Sequence, residues 1–480
     1  MIAFESILQR IKLFHSLLSN PNNVCHMQPK LIFWSIVIAL GGLLFGMDVA
    51  VISGAEQQIQ KVWNLSDLLH GQALAAALYG TIIGALFGGI PAERFGRKTV
   101  LLWIGIIFLV SSIGSALATD VISFMIFRFL GGLGVGASSV VAPMFISELA
   151  PAKNRGKLVA TFQFNIVFGI LLAYLSNYLL SGIGPDAWRW MLGVLAFPSA
   201  VFVALLYFVP ESPRWLMVHR NDYHTARKIL AVSDPSGVDE AVNSIQHQVQ
   251  EDRQQASLSH FFNRRYSKPI IMAVLIALFN QLSGINAIIY FAPRVFELAG
   301  LAKSAAFLQS AGVGLTNLVF TMLGVYLIDR LGRRKLMLIG SVGYILSLGA
   351  IAAAFQFGFL GGITVPVLVF LFIAAHAIGQ GAVIWVFISE IFPNQVRSFG
   401  QSLGSSVHWV VAAIITGVFP IFANSTEIGP AKIFLFFMAM MILQLLWVLF
   451  KMPETKGVSL EEMENAIGCS ETTEKTALAS

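Results

Sequence analysis

The stretch "FISELAPAKNR" (145–155) returns about 240 residues later as "FISEIFPNQVR" (387–397). Each copy closes a long apolar run, and each places an arginine seven positions after a glutamate: Glu148 with Arg155, Glu390 with Arg397. Two further echoes keep the same offset. "ERFGRK" (93–98) reappears as "DRLGRRK" (329–335), and "PESPR" (210–214) as "PETKG" (453–457). The repeated pieces are charged connections, each following the same-numbered apolar run of its half. A duplication of this kind predicts two parallel halves that rock about a site between them.

The apolar runs fix the setting. Of 480 residues, 56% are hydrophobic and 12% charged, with a mean hydropathy of +0.75. So few charges do not cover the core of a soluble protein this long, and the composition predicts an integral membrane protein. Runs of a length that crosses a bilayer, about 17–25 residues, fall near 31–55, 71–91, 99–118, 121–146, 157–180, 187–209, 269–291, 304–328, 336–357, 365–389, 399–421 and 431–451. The expected fold is all-α, with twelve transmembrane helices in two pseudo-symmetric six-helix halves. The expected organisation is an N-terminal segment (1–30), a first half (31–209), a polar linker (210–268), a second half (269–452) and a tail (453–480). The linker is read as short interfacial helices that latch the halves together. The first 28 residues are too broken by Gln9, Arg10, Lys12 and His15 for a signal peptide. They suit either an amphipathic helix lying on the membrane or a frayed tail.

Charge gives the orientation. Of the 31 Lys and Arg residues, 25 lie in the tails and the even-numbered connections. Lys61, Arg189, Arg294, Lys303 and Lys432 lie on the other side, and Arg128 lies inside a run. The positive-inside rule then predicts that both termini and the linker are cytoplasmic. Topology accounts for the net charge of +6, so no nucleic-acid partner is called for. Cys25 and Cys469 sit near opposite ends and imply no disulfide framework. The chain has no phosphate-binding P-loop, metal-ligand cluster or nucleophile elbow. An enzyme, ATP-driven transport and a bound cofactor are therefore not expected.

Within the first run, "GGLLFGMDVAVISG" (41–54) carries Asp48. Asp48 lies eight residues before Glu56, taken as the outer end of helix 1, and Arg128 eight residues after Asp120, at the outer end of helix 4. Both then sit about 12 Å below the outer surface. An isolated charge at a helix centre costs about 2.5–3.5 kcal/mol on insertion scales, and two opposite charges at one depth are natural partners. Either the pair is static and fixes packing, or Asp48 takes up a proton, loosens from Arg128 and lets helices 1 and 4 shift.

Helix 7 carries Asn280, Gln281 and Asn286 within seven residues, around Ser283 and Gly284. Amides both donate and accept hydrogen bonds without carrying charge, so they can bind an uncharged polar ligand. On an unbroken helix Gln281 and Asn286 point about 140° apart, and a break at Gly284 aims both inward. Tyr290 follows Asn286 by one turn, on its face.

Together, "GGLLFGMDVAVISG", "RFGRK" with "RLGRRK", "FRFLGGLGVG", "PMFISELAPAKNRGKLV", "PESPRWL", "NQLSGINAIIYFAP", "EIFPNQVR" and "PETKG" resemble the sugar porter family of the major facilitator superfamily over about residues 31–460. The resemblance implies inward transport of a monosaccharide, hexose or pentose, by alternating access in a plasma membrane (the inner membrane of a bacterium). It places Gln163, Gln281, Asn286, Asn317 and Trp385 on sugar-binding positions. Asn280 stands where a second Gln is usual, and His408, beside Trp409, replaces a Gln or Asn. Bare packing roles are the alternative for Gln163, Asn317, Trp385 and His408 taken singly. "GQGAVIW" lacks the Gly-Pro pair that many members place before this Trp. Asp48 implies proton symport with the proton as coupling ion. Leu195 stands where some xylose–proton symporters carry a further acid. A facilitative carrier and a sugar sensor are the alternatives. The resemblance also implies a cytoplasmic gate of ion pairs that hold the inside closed, drawn from Arg94, Arg97, Glu148, Arg155, Glu211, Arg214, Arg333, Arg334, Glu390, Arg397 and Glu454. The expected working unit is a monomer in the lipid bilayer.

Overall fold

The structure, a computed structural model, describes residues 28–235, 237–252, 261–393, 395–458 and 462–463. The N-terminal segment, both cysteines and most of the tail lie outside them. Twelve helices are long and apolar enough to span a bilayer. They are α1 (Pro29–Val62), α2 (Asp67–Phe87), α3 (Arg97–Leu117), α4 (Val121–Leu149), α5 (Arg155–Leu180), α6 (Ala187–Leu206), α7 (Arg264–Leu298), α8 (Lys303–Leu331), α9 (Arg333–Phe357), α10 (Thr364–Glu390), α11 (Arg397–Ala423) and α12 (Gly429–Phe450). The described chain holds no strand. The spans alternate in direction, so the linker and both described ends emerge on one face. That face carries the Lys/Arg clusters and is here called the basic face; the opposite one is the far face.

Helix 1 is longer than the apolar run suggests. It continues through Glu56 to Val62, because Glu56 is fully buried instead of meeting water. Helix 4 starts where expected. Asp120 caps it, its Oδ1 accepting from the backbone N–H of Ile122 and Ser123 at 3.0 Å each. Those bonds, Ser123's first, hold its carboxyl below the usual carboxylate range.

Packing inside the membrane relies on close backbone approach, not on a hydrophobic driving force. A Cβ on Gly132 of α4 would lie 1.8 Å from the Ala77 carbonyl oxygen of α2. One on Gly71 of α2 would lie 2.0 Å from the Gly417 carbonyl oxygen of α11. The second contact joins the two halves near the far face.

The repeated loops build the same clamp twice. Arg97 donates to both oxygens of Glu148, from Nε to Oε2 and Nη2 to Oε1, at 3.0 Å each. Arg333 does the same to Glu390, at 3.0 and 2.6 Å. Glu211 accepts from the backbone N–H of Arg97 and Lys98 at the start of α3. Glu454 accepts from those of Arg333 and Arg334 at the start of α9. A carboxylate at a helix N-terminus meets unpaired N–H groups and the positive end of the dipole. Ser212 Oγ donates to Glu148, and Thr455 Oγ1 to Glu390, at 2.5 Å each. Each clamp thus ties together the basic-face ends of three spans of its own half. The linker helices Pro213–Arg220, Tyr223–Ser233 and Val238–Asp252 also sit on one half. Trp215 Nε1 donates to Glu93 O, and Ser233 Oγ to Leu149 O, at 2.7 Å each. Phe261 turns instead to Phe392 and Phe399 of the second half. The described linker thus touches the first half through its helices and the second through Phe261.

Candidate functional site

Asp48 and Arg128 meet. Arg128 Nη1 donates to Asp48 Oδ1 at 2.7 Å, and Nη2 to the Asp48 backbone carbonyl at 3.1 Å. Both residues are about 98% or more removed from solvent and lipid, at 1% and 2% exposure. Gly131 leaves room for the carboxylate: a Cβ there would lie 2.5 Å from Ser111 Oγ and 3.2 Å from Asp48 Oδ1. The second oxygen, Oδ2, is buried without a hydrogen-bond partner, as is Arg128 Nε. Tyr290 of α7, from the other half, lies within electrostatic reach of both groups. The pair therefore holds a buried oxygen free to take a proton, beside a residue of the opposite half.

Helix α7 breaks where its amides crowd. It runs Ser267–Leu282, turns through Gly284 at φ +85°, and resumes at Ile285. Asn280, Gln281 and Asn286 are all buried at the break, with exposures of 3%, 1% and 7%. Gln281 Nε2 donates to Asn280 Oδ1 at 3.1 Å and lies 2.9 Å from His408 Nε2. The His408 ring centre lies 5.1 Å from that of Trp385 and 4.7 Å from that of Trp409. Trp409 in turn packs on Phe45 of α1, across the halves. Trp385 is 39% exposed. Asn317 on α8 accepts from Thr321 at 3.2 Å. Gln163 on α5 is half-buried, one residue past Phe162, whose carbonyl closes on Gly42 of α1. The structure thus joins Asn280, Gln281, Trp385, His408 and Trp409 directly; Asn286 and Tyr290 follow on α7 beyond the break, and Gln163 and Asn317 lie on α5 and α8.

Gly284 carries a sharp test. Its left-handed backbone costs a non-glycine residue about 1–2 kcal/mol, and an added Cβ would stand 2.4 Å from the Phe437 ring. Gly284→Ala is expected to lower uptake about tenfold at equal membrane abundance, since 1.4 kcal/mol is a factor of ten. Adding Phe437→Leu should recover part of it. Wild-type uptake in Gly284→Ala would show that the break is not needed.

The missing Gly-Pro pair has a structural substitute. Helix α10 contains a π-helical segment, Ala377–Gly381, a form that often marks functional sites. Around it Gln380 Nε2 donates to Gln444, Gln444 Nε2 donates to Ser341 Oγ at 2.8 Å, and Tyr344 Oη lies 2.5 Å from His376 Nδ1. Sequence reading missed this network. Its signal was Gln380, a buried amide in an apolar run.

Also missed was a bolt at the far face. Arg294 of α7 donates from Nε to Glu56 Oε1 at 2.9 Å and from Nη2 to Oε2 at 2.7 Å. Its Nη2 also reaches Gln60 Oε1 at 2.7 Å, and His70 Nε2 lies 3.2 Å from Glu56 Oε2. Glu56, Gln60 and His70 belong to the first half and Arg294 to the second. Nearby, Tyr174 Oη donates to the Ile289 carbonyl at 2.8 Å, and Asn424 Nδ2 to Asp67 Oδ1 at 2.7 Å. These contacts hold the two halves together at the far face.

The charges expected to gate the basic face behave differently. The pairs of Arg97 with Glu93 and Glu148, and of Arg333 with Asp329 and Glu390, stay within one half. Arg94 lies over Phe95, and Arg334 donates to the Val448 and Leu449 carbonyls. Arg397 donates to the Phe392 carbonyl at 3.4 Å. Arg155 and Arg214 line a cavity of about 400 Å³ beside Glu148 and the linker helices. With the far face bolted, these groups on the basic face pair within their own halves.

Two six-helix halves, bolted together at one face around a buried polar centre, define a carrier of the major facilitator fold. The chain belongs to the "Sugar (and other) transporter" family, whose profile matches residues 34–467; it is a family of transporters, not of enzymes. Among similar proteins, the arabinose-proton symporter of Bacillus subtilis is 35% identical over 445 residues, covering 92% of this chain and 95% of that protein. The D-xylose-proton symporter of Escherichia coli K12 is 35% identical over 466 residues, covering 90% and 94%. A solved structure of the E. coli xylose transporter XylE, in a partially occluded inward-open conformation, matches with a TM-score of 0.79 and 34% identity. That match covers 89% of this chain and 99% of that one.

Proposed function

We propose that the chain carries a monosaccharide, hexose or pentose, into the cell together with a proton. The observation that carries this reading is the buried Asp48–Arg128 pair with its unpartnered carboxylate oxygen. A proton arriving from the far face adds to Asp48 Oδ2 and neutralises the carboxylate. The bond from Arg128 Nη1 weakens, and α1 and α4 are released to move against α7. The sugar is held by Gln163, Asn280, Gln281, Asn286, Tyr290, Asn317, Trp385, His408 and Trp409: amides for its hydroxyls, rings for its C–H face. The proton is the coupling ion, and no other cofactor is invoked. The positive-inside rule puts the basic face in the cytoplasm of a plasma membrane, or a bacterial inner membrane, so the described state faces inward. Arg155 and Arg397 stand outside the clamps and are available to pair with carboxylates of the opposite half when that face closes. The cavity is built within one chain, which supports a working monomer.

A proton-independent carrier is the second reading. The observation that favours it is Leu195, fully apolar and 1% exposed between the two parts of α6, where some relatives carry an acid. Uptake of D-xylose, L-arabinose and D-glucose into proteoliposomes, with and without an inward proton gradient, separates the two. Symport predicts accumulation above the outside concentration only with the gradient. Equal uptake in both conditions would establish the facilitative reading.

A further inference from the structure

The far-face bolt is shared with an imidazole. Glu56 Oε2 accepts from Arg294 Nη2 of the second half at 2.7 Å, and His70 Nε2 of the first half stands 3.2 Å from the same oxygen. That nitrogen also lies 3.0 Å from the Glu56 backbone carbonyl. Both neighbours only accept, so in the neutral ring Nε2 carries the hydrogen and Nδ1 the lone pair. His70 is 0% exposed, and its Nδ1 is buried without a hydrogen-bond partner among the described residues. The ring meets Phe291 of α7 edge-on, with centres 6.4 Å apart. The charges around it come from several elements. On α1 are Glu56 and the exposed Lys61. On α7 are Arg294 and, one turn later, Glu297, whose Oε1 is buried without a partner. On α2 itself, Asp67 accepts from Gln60 Nε2 at 2.9 Å and from Asn424 past the end of α11. The nearest charge of α4 is Asp120, engaged in capping its own helix. Helix α11 meets α2 at Gly417, more than two turns beyond its nearest titratable residue, His408. Among the described residues, only Glu56 is in ion-pair contact with His70.

We infer that His70 is a proton-binding site that opens the bolt: a proton taken up at Nδ1 makes the ring a second cation on Glu56 Oε2, held by the half opposite to Arg294. The step is a plain protonation. Water at the far face gives the proton, Nδ1 gives the lone pair, one N–H bond forms, and Glu56 keeps its charge. Two electrostatic effects then act in the same sense. The imidazolium draws the carboxylate toward its own half, and it repels the guanidinium of the other. The new Nδ1–H is also a buried donor without an acceptor while the halves are closed, and water meets it when they part. Acid at the far face therefore favours the far-open state. By linkage, closing the bolt expels the proton from His70. This proton sets the poise of the carrier and is distinct from the one proposed to travel with Asp48. The inference rests on the bolt and not on the identity of the solute.

Distances between spin labels at Val62 and Gly300 test this, in the full chain in lipid nanodiscs without sugar, the native cysteines replaced by serine. Imidazoles ordinarily change charge between about pH 5 and 8, so that range is scanned. With His70 intact, the ratio of far-open to far-closed protein should rise about tenfold from the alkaline to the acid end, within the usual coupling range of about 5–150-fold. His70→Gln keeps a donor for Glu56 but takes no proton, and should flatten the response. The double variant Asp48→Asn with Arg128→Gln removes the other buried pair and should keep it. The inference is overturned by distances that ignore pH with His70 intact, by a full response in His70→Gln, or by a response lost in the double variant. Should His70→Gln fail to fold, magnetic resonance of isotope-labelled histidine in the unsubstituted chain gives the answer. The ring in contact with Phe291 should be the Nε2–H tautomer at the alkaline end and gain its proton in step with the distance change. A ring that stays neutral while the distance changes overturns the inference equally.

Discussion

Asp48→Asn is expected to abolish uphill accumulation of sugar while leaving exchange between equal pools measurable. One proton crossing a potential of 100 mV brings about 2.3 kcal/mol, enough for roughly 50-fold accumulation. Asparagine keeps the shape of the side chain and removes the titratable oxygen, so the ratio should fall to about one. It also leaves Arg128, 2% exposed, as a buried charge without its counter-ion. Breaking such a pair from one side costs about 3–5 kcal/mol, and a drop in expression or melting temperature is part of the same expectation. The double variant Asp48→Asn with Arg128→Gln removes both charges. It should recover stability without recovering accumulation. Uphill transport in either variant, measured as the steady-state ratio in vesicles, would exclude Asp48 as the coupling group.

The second large effect concerns the bolt at the far face. Glu56 and Arg294 form a two-point ion pair across the halves, with Glu56 fully buried. Glu56→Gln removes one charge and leaves the other buried. At about 3–5 kcal/mol for an unpaired buried partner, the balance between far-closed and far-open states should move by about two to four powers of ten. Spin labels at Val62, the last residue of α1, and at Gly300, just past the end of α7, should report a longer distance in Glu56→Gln than in the wild type. Net transport should slow, because a carrier held open at one face cannot cycle. Swapping the charges, Glu56→Arg with Arg294→Glu, should restore part of both. Unchanged distances in Glu56→Gln would show that other contacts, such as Tyr174 to Ile289, keep the far face shut.

What was legible beforehand divides along physical lines. Repeats and hydropathy register long-range regularity, and they sufficed for twelve spans and two halves. Depth matching found the Asp48–Arg128 pair, although helix 1 runs on past Glu56 to Val62. Charged residues in lipid need partners, and few are available. The break at Gly284 was readable because amides on opposite faces cannot all avoid lipid without one. The bolt escaped for the opposite reason. Glu56 and Arg294 lie near span ends, where charges ordinarily meet water, and nothing local shows that both are buried against each other. The clamp residues were legible, but not which of them pair. A sequence carries no conformational state, and Arg97 with Glu148, or Arg333 with Glu390, pair at home when the far face is closed. The π-helical segment of α10 replaced an absent proline, a substitution that local propensity does not reveal.

The account turns on a proton travelling with the sugar through Asp48. The direct measurement is the pH of a weakly buffered medium outside de-energised vesicles as sugar is added down its gradient. The account predicts alkalinisation on addition of a transported sugar to the wild type, and none in Asp48→Asn despite continued exchange. Sugar entry without a pH change in the wild type, or an undiminished change in Asp48→Asn, would contradict it.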